Sequence, residues 1–164
     1  MSGEIVLWGV GTSRTIRAHW MLLELGVDYR FHPIGPRSGA TQDPEFLRLN
    51  PLHKIPVLQH GTLVLTESAA IIEYLSEQFP NSQIHRPSTP QSFATLREWC
   101  YFILSELDAA SLYMVRRHLG LKHIYGEAPV AVEAAKTYFS HNLEAMATRI
   151  GSASPYLLDR KSVV

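Results

Sequence analysis

Two short stretches of this 164-residue chain place charged and hydrogen-bonding groups in a pattern suited to a peptide ligand. The first is Asn50-Pro51-Leu52-His53-Lys54-Ile55-Pro56-Val57-Leu58, and the second, opening nine residues later, is Glu67-Ser68-Ala69-Ala70-Ile71-Ile72. Pro56, at the start of an apolar strand-like run, removes one backbone donor and admits the cis peptide. Glu67 and Ser68 open an apolar-periodic run and so offer a carboxylate and a hydroxyl at a helix N-terminus. Thr12 and Ser13 precede another such run, behind Gly9 and Gly11.

The elements that must position these groups are legible from periodicity. Ile5-Val6-Leu7-Trp8 predicts a strand stopped by Gly9 and Gly11, followed by a helix carrying Ile16, Trp20 and Leu23 at helical spacing and ended by Gly26. Tyr29 to His32 alternates as a second strand does, and Pro33 to Asp43 reads as loop, with a short helix at Glu45 to Arg48 before Pro51. Val57-Leu58-Gln59 and Leu63-Val64-Leu65 flank His60-Gly61-Thr62, which predicts a hairpin turning at Gly61. A helix from Glu67 to Gln78 follows, with Ala70, Ile71, Tyr74 and Leu75 as its apolar stripe.

Residues 81–91 contain Pro87 and Pro90 among small polar residues and read as a linker between a domain over 1–80 and a helical remainder over 92–164. The remainder predicts a helix from Ser92 to His118, through Phe93, Leu96, Trp99, Cys100, Ile103 and Leu107, with Gly120 as its stop. A second runs from about Val130 to Ile150, closed by Gly151, with Ala131, Ala134, Ala135, Tyr138, Leu143 and Met146 facing inward. The fold class is therefore an α/β domain with a four-stranded sheet followed by an all-α domain.

Fifteen basic and fifteen acidic side chains balance, so charge supplies no reason to invoke nucleic acid or an anionic membrane. No apolar run reaches the roughly 18 residues of a membrane span, and the N-terminus lacks a signal-peptide pattern, which makes the cytoplasm the expected compartment. The lone Cys100 excludes an internal disulfide framework and reads as a buried packing thiol. The eight histidines, His118 and His123 included, show no metal-ligand spacing, so no metal is expected.

Element order and motifs together resemble the cytosolic glutathione transferase family, in particular its bacterial members. The resemblance rests on Asn50-Pro51 through Ile55-Pro56-Val57-Leu58, on Thr66-Glu67-Ser68 with Ala70-Ile71, and on Arg14, Arg17, Trp20, Leu23 and Glu24-Leu25-Gly26 of the first helix. It implies a thioredoxin-like glutathione-binding domain with a mixed sheet, then a helical domain. Tyr156 to Val164 resembles the family's entry into a buried helix that opens with a capping box, and the chain stops inside it, so the helical domain is expected to be incomplete.

The same resemblance implies roles for the residues. Glu67 and Ser68 hold the γ-glutamyl end of glutathione, and Ile55, before Pro56, pairs its backbone with the cysteine. Lys54 or His53 faces the glycine carboxylate, with Gln42 a further candidate. The thiol needs a donor that favours its anion, and Ser13 is the first candidate and Thr12 the second; Ser13 reads equally well as the cap of the first helix. The usual tyrosine of some family classes has no counterpart here. Tyr113, Met114, Arg116 and Arg117 lie on the helix expected near the second substrate. The implied activity is conjugation of glutathione to small hydrophobic electrophiles in detoxification by a homodimer. A glutathione-dependent peroxidase or disulfide reductase and a noncatalytic binding protein are the alternatives.

Overall fold

The computed structural model describes residues 3–80, 84 and 87–150, and these divide into two compact units, one drawn from the first 86 residues and one beginning at Pro87. In the first unit the chain runs β1 (Ile5–Trp8), α1 (Ser13–Leu25), β2 (Arg30–His32), a 3-10 turn (Gly39–Gln42), α2 (Pro44–Leu49), β3 (Val57–His60), β4 (Leu63–Leu65) and α3 (Ser68–Gln78). The strands form one mixed sheet in the order β2-β1-β3-β4, with β1 parallel to β2 and antiparallel to β3. The thioredoxin-like arrangement expected from the sequence is thus present, with the hairpin turning at Gly61 in a left-handed conformation.

All four residues of β1 are buried because both faces of the sheet are covered. Ile5 and Leu7 point to one side, where they meet Ala18, Met21 and Leu22 of α1 and Ile71, Ile72 and Leu75 of α3. Val6 and Trp8 point to the other, against Phe46 of α2, Ile55 and Val57. Each fully buried side chain of Leu size contributes about 1.5 to 3 kcal/mol, so the two layers hold the strand ends in register.

Helix α1 turns a different face inward from the one the sequence suggested. Thr15, Ala18, Met21 and Leu22 are buried, whereas Ile16, Trp20 and Leu23 are 59%, 54% and 70% exposed. Both sets recur at helical spacing, and the smaller one wins because Ala18 lets the helix backbone approach the sheet. In α3, Ile71 and Leu75 are buried as expected, while Ala70 is exposed and Ser68 and Ile72 take inward positions.

In the second unit α4 (Pro90–Phe102) begins two residues before the expected start, because Thr89 and Ser92 form a capping box and Pro90 occupies the first turn. Its helical course continues past Phe102 but widens. Ile103–Leu112 and Arg116–Gly120 are π-helical, with i→i+5 bonds such as Tyr113 N–H to Asp108 O and Leu121 N–H to Arg116 O, on either side of the short α5 (Tyr113–Val115). Helices α6 (Lys122–Tyr125) and α7 (Pro129–Ile150) follow. In α7 Val132 and Ala135 are buried, and Ala134, Tyr138 and Leu143, expected inside, are exposed. Cys100 is half-buried rather than enclosed. The segment from Tyr156 to Val164 lies outside the described residues.

Candidate functional site

Sheet topology carries the sequence-predicted groups of the first unit to one end of the sheet. Trp8, the last residue of β1, pairs with Val57, the first of β3, so the loop Gly9–Thr12 and the dipeptide Ile55-Pro56 leave the sheet together. Leu58 pairs with Leu65, which delivers Glu67 and Ser68 to the same end. Trp8 also pairs with His32, so the loop that contains Thr41 and Gln42 starts there.

At the head of α1, Thr12 is the cap. Its Oγ1 accepts the Thr15 backbone N–H at 3.0 Å, and the Thr12 backbone N–H donates to Thr15 Oγ1 at 3.1 Å. Ser13 is therefore not the cap; it is the first helical residue, exposed, and its hydroxyl has no hydrogen-bond partner among the described residues. The preceding loop is pinned by His19. Its Nε2 lies 3.2 Å from the Gly9 carbonyl, which only accepts, so Nε2 carries the proton and Nδ1 accepts from the Tyr29 hydroxyl at 3.1 Å. Phe31 meets the same ring edge-on at 4.4 Å.

The Ile55–Pro56 peptide is cis. Ile55 is buried by its side chain, but its backbone lies outside the strand ladder and makes no backbone hydrogen bond with another described residue. Asn50, 2% exposed, braces the approach: Nδ2 donates to the Lys54 carbonyl at 2.8 Å, and Oδ1 accepts the Leu52 N–H at 3.0 Å. His53, at φ 56°, donates from Nδ1 to the Thr41 carbonyl at 3.2 Å and ties this loop to the Gly39–Gln42 turn. That bond leaves Nε2 as an acceptor in the neutral ring, so only the imidazolium form could donate to a carboxylate. Lys54 and Gln42 are both exposed, with no side-chain hydrogen bond or ion pair among the described residues.

Glu67 is the N-cap of α3 by backbone conformation, yet its side chain makes no capping hydrogen bond; the carboxylate is exposed and unpaired among the described residues. The first N–H groups of α3 thus lack a side-chain acceptor among the described residues. Ser68, 3% exposed, accepts from Arg17 Nη1 at 3.4 Å. Sequence reasoning noted Arg17 only as part of the helix pattern and gave no role to Asn50 or His19. Asn50-Pro51 carries a turn signal that points to the brace. Nothing in the spacing of His19 points to Gly9.

The chemistry available at this end of the sheet is that of peptide binding. An open Ile55 N–H and C=O can pair with an extended backbone, Glu67 can take an ammonium group, and Ser68 with the start of α3 can take a carboxylate. Thr12, Ser13 and the first N–H groups of α1 are donors for an anion. A groove of about 770 Å³ lies at the other end of the sheet, between Glu4, Asp28, Arg30 and Phe79, and none of these candidates lines it. Tyr113, Met114, Arg116 and Arg117 belong to the second unit, where the Arg117 guanidinium sits 4.5 Å from the Tyr125 ring centroid. Among the described residues no cluster of His, Cys, Asp and Glu could hold a metal ion, and no helix is long and apolar enough to cross a membrane.

Residues 3–77 match the family described as "Glutathione S-transferase, N-terminal domain". Glutathione S-transferase 1 of Dianthus caryophyllus is 44% identical over 59 residues, which are 36% of this chain and 27% of that protein. The glutathione S-transferase-like protein gedE of Aspergillus terreus is 34% identical over 101 residues, 60% of this chain and 44% of its own length. The chain thus spans less than half the length of these curated relatives. The theta class glutathione S-transferase from Xanthomonas axonopodis pv. citri, solved with glutathione bound, superposes with a TM-score of 0.83 at 26% identity, over 99% of this chain and 77% of that one. Glutathione transferase URE2P6 of Phanerochaete chrysosporium, solved with oxidized glutathione, shares the fold with a TM-score of 0.80 at 23% identity, over 99% and 74%.

Proposed function

Because this chain belongs to the cytosolic glutathione S-transferase family, we propose that it binds glutathione at the end of the sheet where Ile55, Glu67 and Ser13 converge, and activates the thiol for attack on small hydrophobic electrophiles. The observation that carries this reading is the open Ile55 backbone before the cis Pro56, set beside the unpaired Glu67 carboxylate at the start of α3. In the proposed complex Ile55 pairs with the cysteine backbone, Glu67 takes the γ-glutamyl ammonium, and Ser68 with the first α3 N–H groups takes the carboxylate. Lys54 faces the glycine carboxylate, with His53 and Gln42 beside it.

Activation is a matter of magnitude. A free cysteine thiol titrates near 8.5, and lowering that by about two units requires about 2.7 kcal/mol of preference for the anion. A hydroxyl donor supplies roughly 1.5 to 3 kcal/mol and a helix N-terminus about 0.3 to 1 more. Ser13 fits the donor role because its hydroxyl has no competing partner among the described residues, whereas that of Thr12 is occupied as a cap. Thr12 is the second candidate, since a capping oxygen can still donate its own proton. The thiol proton leaves to solvent, the sulfur lone pair forms the C–S bond, and the displaced pair goes to the leaving group or the electron-poor end of the acceptor. No protein nucleophile takes part.

This reading also carries a detoxifying role, assembly as a homodimer and a cytoplasmic location as proposals. Glutathione titration by calorimetry, followed by conjugation of a chromogenic aryl halide, tests the core of it. Binding with turnover supports the proposal. Binding with no turnover of an electrophile, a peroxide or a mixed disulfide identifies a noncatalytic glutathione-binding protein instead. Absence of binding overturns both.

A further inference from the structure

We propose that His19 is a positioning residue for thiol activation: by holding the Gly9 carbonyl it fixes the exit of β1 against the helix that carries Ser13. The inference rests on the activation of glutathione by Ser13 proposed above. His19 and Ser13 both belong to α1, whereas Gly9 lies in the loop ahead of it, so the bond closes the loop back onto its own helix. The peptide between Gly9 and Val10 is held at both ends. Its carbonyl accepts from His19 Nε2 at 3.2 Å, and its N–H, on Val10, donates to the Ile34 carbonyl at 2.9 Å. A planar peptide gripped at both polar groups has little freedom to turn. The Ile34 bond, with that from Gly9 N–H to the His32 carbonyl, ties the loop to the chain beside and beyond β2; the His19 bond ties it to α1.

The ring itself is set by its neighbours. The Tyr29 hydroxyl donates to Nδ1 at 3.1 Å, and the Phe31 ring meets the imidazole edge-on at 4.4 Å, so the proton sits on Nε2 and faces Gly9. Both ring nitrogens are engaged, which leaves His19 no group for a ligand; it acts through Gly9. Gly9 in turn packs so tightly on Ile55 that a Cβ there would lie 2.6 Å from Ile55 Cβ. In the proposed complex Ile55 places the glutathione cysteine and Ser13 donates to its sulfur, so the Gly9 contact is where these two requirements meet. A hydrogen bond weakens steeply as its distance and angle leave their optimum, and slack between α1 and Gly9 therefore costs thiolate stabilisation first. Binding is less affected, because Ile55 and Glu67 stand on other elements and the approach to Ile55 is braced by Asn50.

The test compares wild type, His19→Asn and His19→Gln in the full chain, with circular dichroism to confirm the fold. The glutamine amide nitrogen can take the place of Nε2 and donate to Gly9, whereas the shorter asparagine amide falls near Nδ1 and reaches only toward Tyr29. Neither carries a charge, so a difference between them reports the Gly9 bond and not the loss of an ionisable ring. The readouts are the pKa of bound glutathione thiol, from thiolate absorbance against pH, and glutathione affinity by calorimetry. His19→Asn is expected to raise the thiol pKa by about one unit, a tenfold loss of thiolate below that pKa, with affinity kept within about threefold. His19→Gln should recover most of the wild-type pKa. Equal shifts in both variants, or a loss of affinity as large as the loss of thiolate, would mean that His19 only supports the fold, and overturns the proposal. A lowered thiol pKa in the wild type that His19→Asn retains removes His19 alone. A wild type that binds no glutathione, or binds it with an ordinary thiol pKa, removes the proposed activation and this inference with it.

Discussion

Gly9 and Ile55 approach so closely that a Cβ on residue 9 would lie 2.6 Å from Ile55 Cβ and 3.0 Å from Thr15 Cγ2. This contact joins the loop before α1 to the residue before Pro56, and so sets the spacing between the proposed thiol donor and the proposed peptide-pairing backbone. Gly9 also has φ +117°, a conformation that a side chain disfavours.

Gly9→Ala is therefore expected to fail on both counts. Backbone strain at such a position costs about 1 to 3 kcal/mol, and the Ile55 clash adds to it, because backbone and Cβ atoms cannot swing aside. The variant should melt earlier and bind glutathione more weakly, even where circular dichroism shows native helix content. Unchanged melting and binding would mean that the two loops move independently.

Thr12 and Ser13 are separable by experiment because the structure gives them different local jobs. Thr12→Ala removes a helix cap and should cost about 1 kcal/mol of stability by denaturant titration. Ser13→Ala removes no hydrogen bond among the described residues and should leave stability unchanged while raising the pKa of bound glutathione thiol, read from thiolate absorbance against pH. A thiol shift confined to Thr12→Ala transfers the activating role to Thr12.

These jobs were only partly legible beforehand. The strands, the hairpin at Gly61 and the start of α3 follow from local patterns that act within a few residues, and those patterns hold in the structure. The face of α1 does not, since Ile16-Trp20-Leu23 and Ala18-Met21-Leu22 have the same period and only the sheet beneath decides between them. The cap register failed for a similar reason: Thr12 and Ser13 are both good caps, and Thr15 completes the box for one of them. The widened stretch from Ile103 to Leu112 has no period that a 3.6-residue pattern could find. At the site, the motif residues were recognisable by type, but Arg17 reaching Ser68 and His19 holding Gly9 are contacts across 51 and 10 residues that spacing cannot encode.

Asn50→Ala should loosen the loop that presents Ile55. The side chain satisfies the Leu52 N–H and the Lys54 carbonyl from a buried position, and losing such a partner costs about 1 to 3 kcal/mol. Asn50→Asp keeps the acceptor and loses the donor, so it should recover only the Leu52 half. Hydrogen exchange at Leu52, fast in Asn50→Ala and slow in Asn50→Asp, checks the division. Equal exchange in both would place the brace elsewhere.

In the second unit, the hydrogen bond from Arg149 holds the Glu98 carboxyl below the usual glutamate range, at 2.5 Å between α7 and α4. A carboxyl lowered on folding adds stability above its unfolded pKa and loses it as pH falls through the lowered folded value. The pair is exposed, so salt screens it. The melting temperature of wild type should exceed that of Glu98→Gln slightly at neutral pH and low salt. The gap should close in acid and in high salt. A gap that persists in acid would assign it to packing rather than charge.

Glu67→Ala is the sharpest test of the site as a whole. The carboxylate is exposed, makes no capping hydrogen bond to α3 and has no ion pair among the described residues, so the folded chain has little to lose with it. A charge-assisted bond to a ligand ammonium contributes roughly 1.5 to 3 kcal/mol, which predicts about ten- to more than a hundredfold weaker glutathione binding with only a small loss of stability. Removing a negative charge next to the positive end of α3 slightly weakens the helix start, an effect of about 0.3 to 1 kcal/mol that a melt would register separately. Paired calorimetry and thermal melts distinguish the two. A binding loss far larger than the stability loss places Glu67 on the ligand, whereas unchanged affinity in a folded variant removes it from the site.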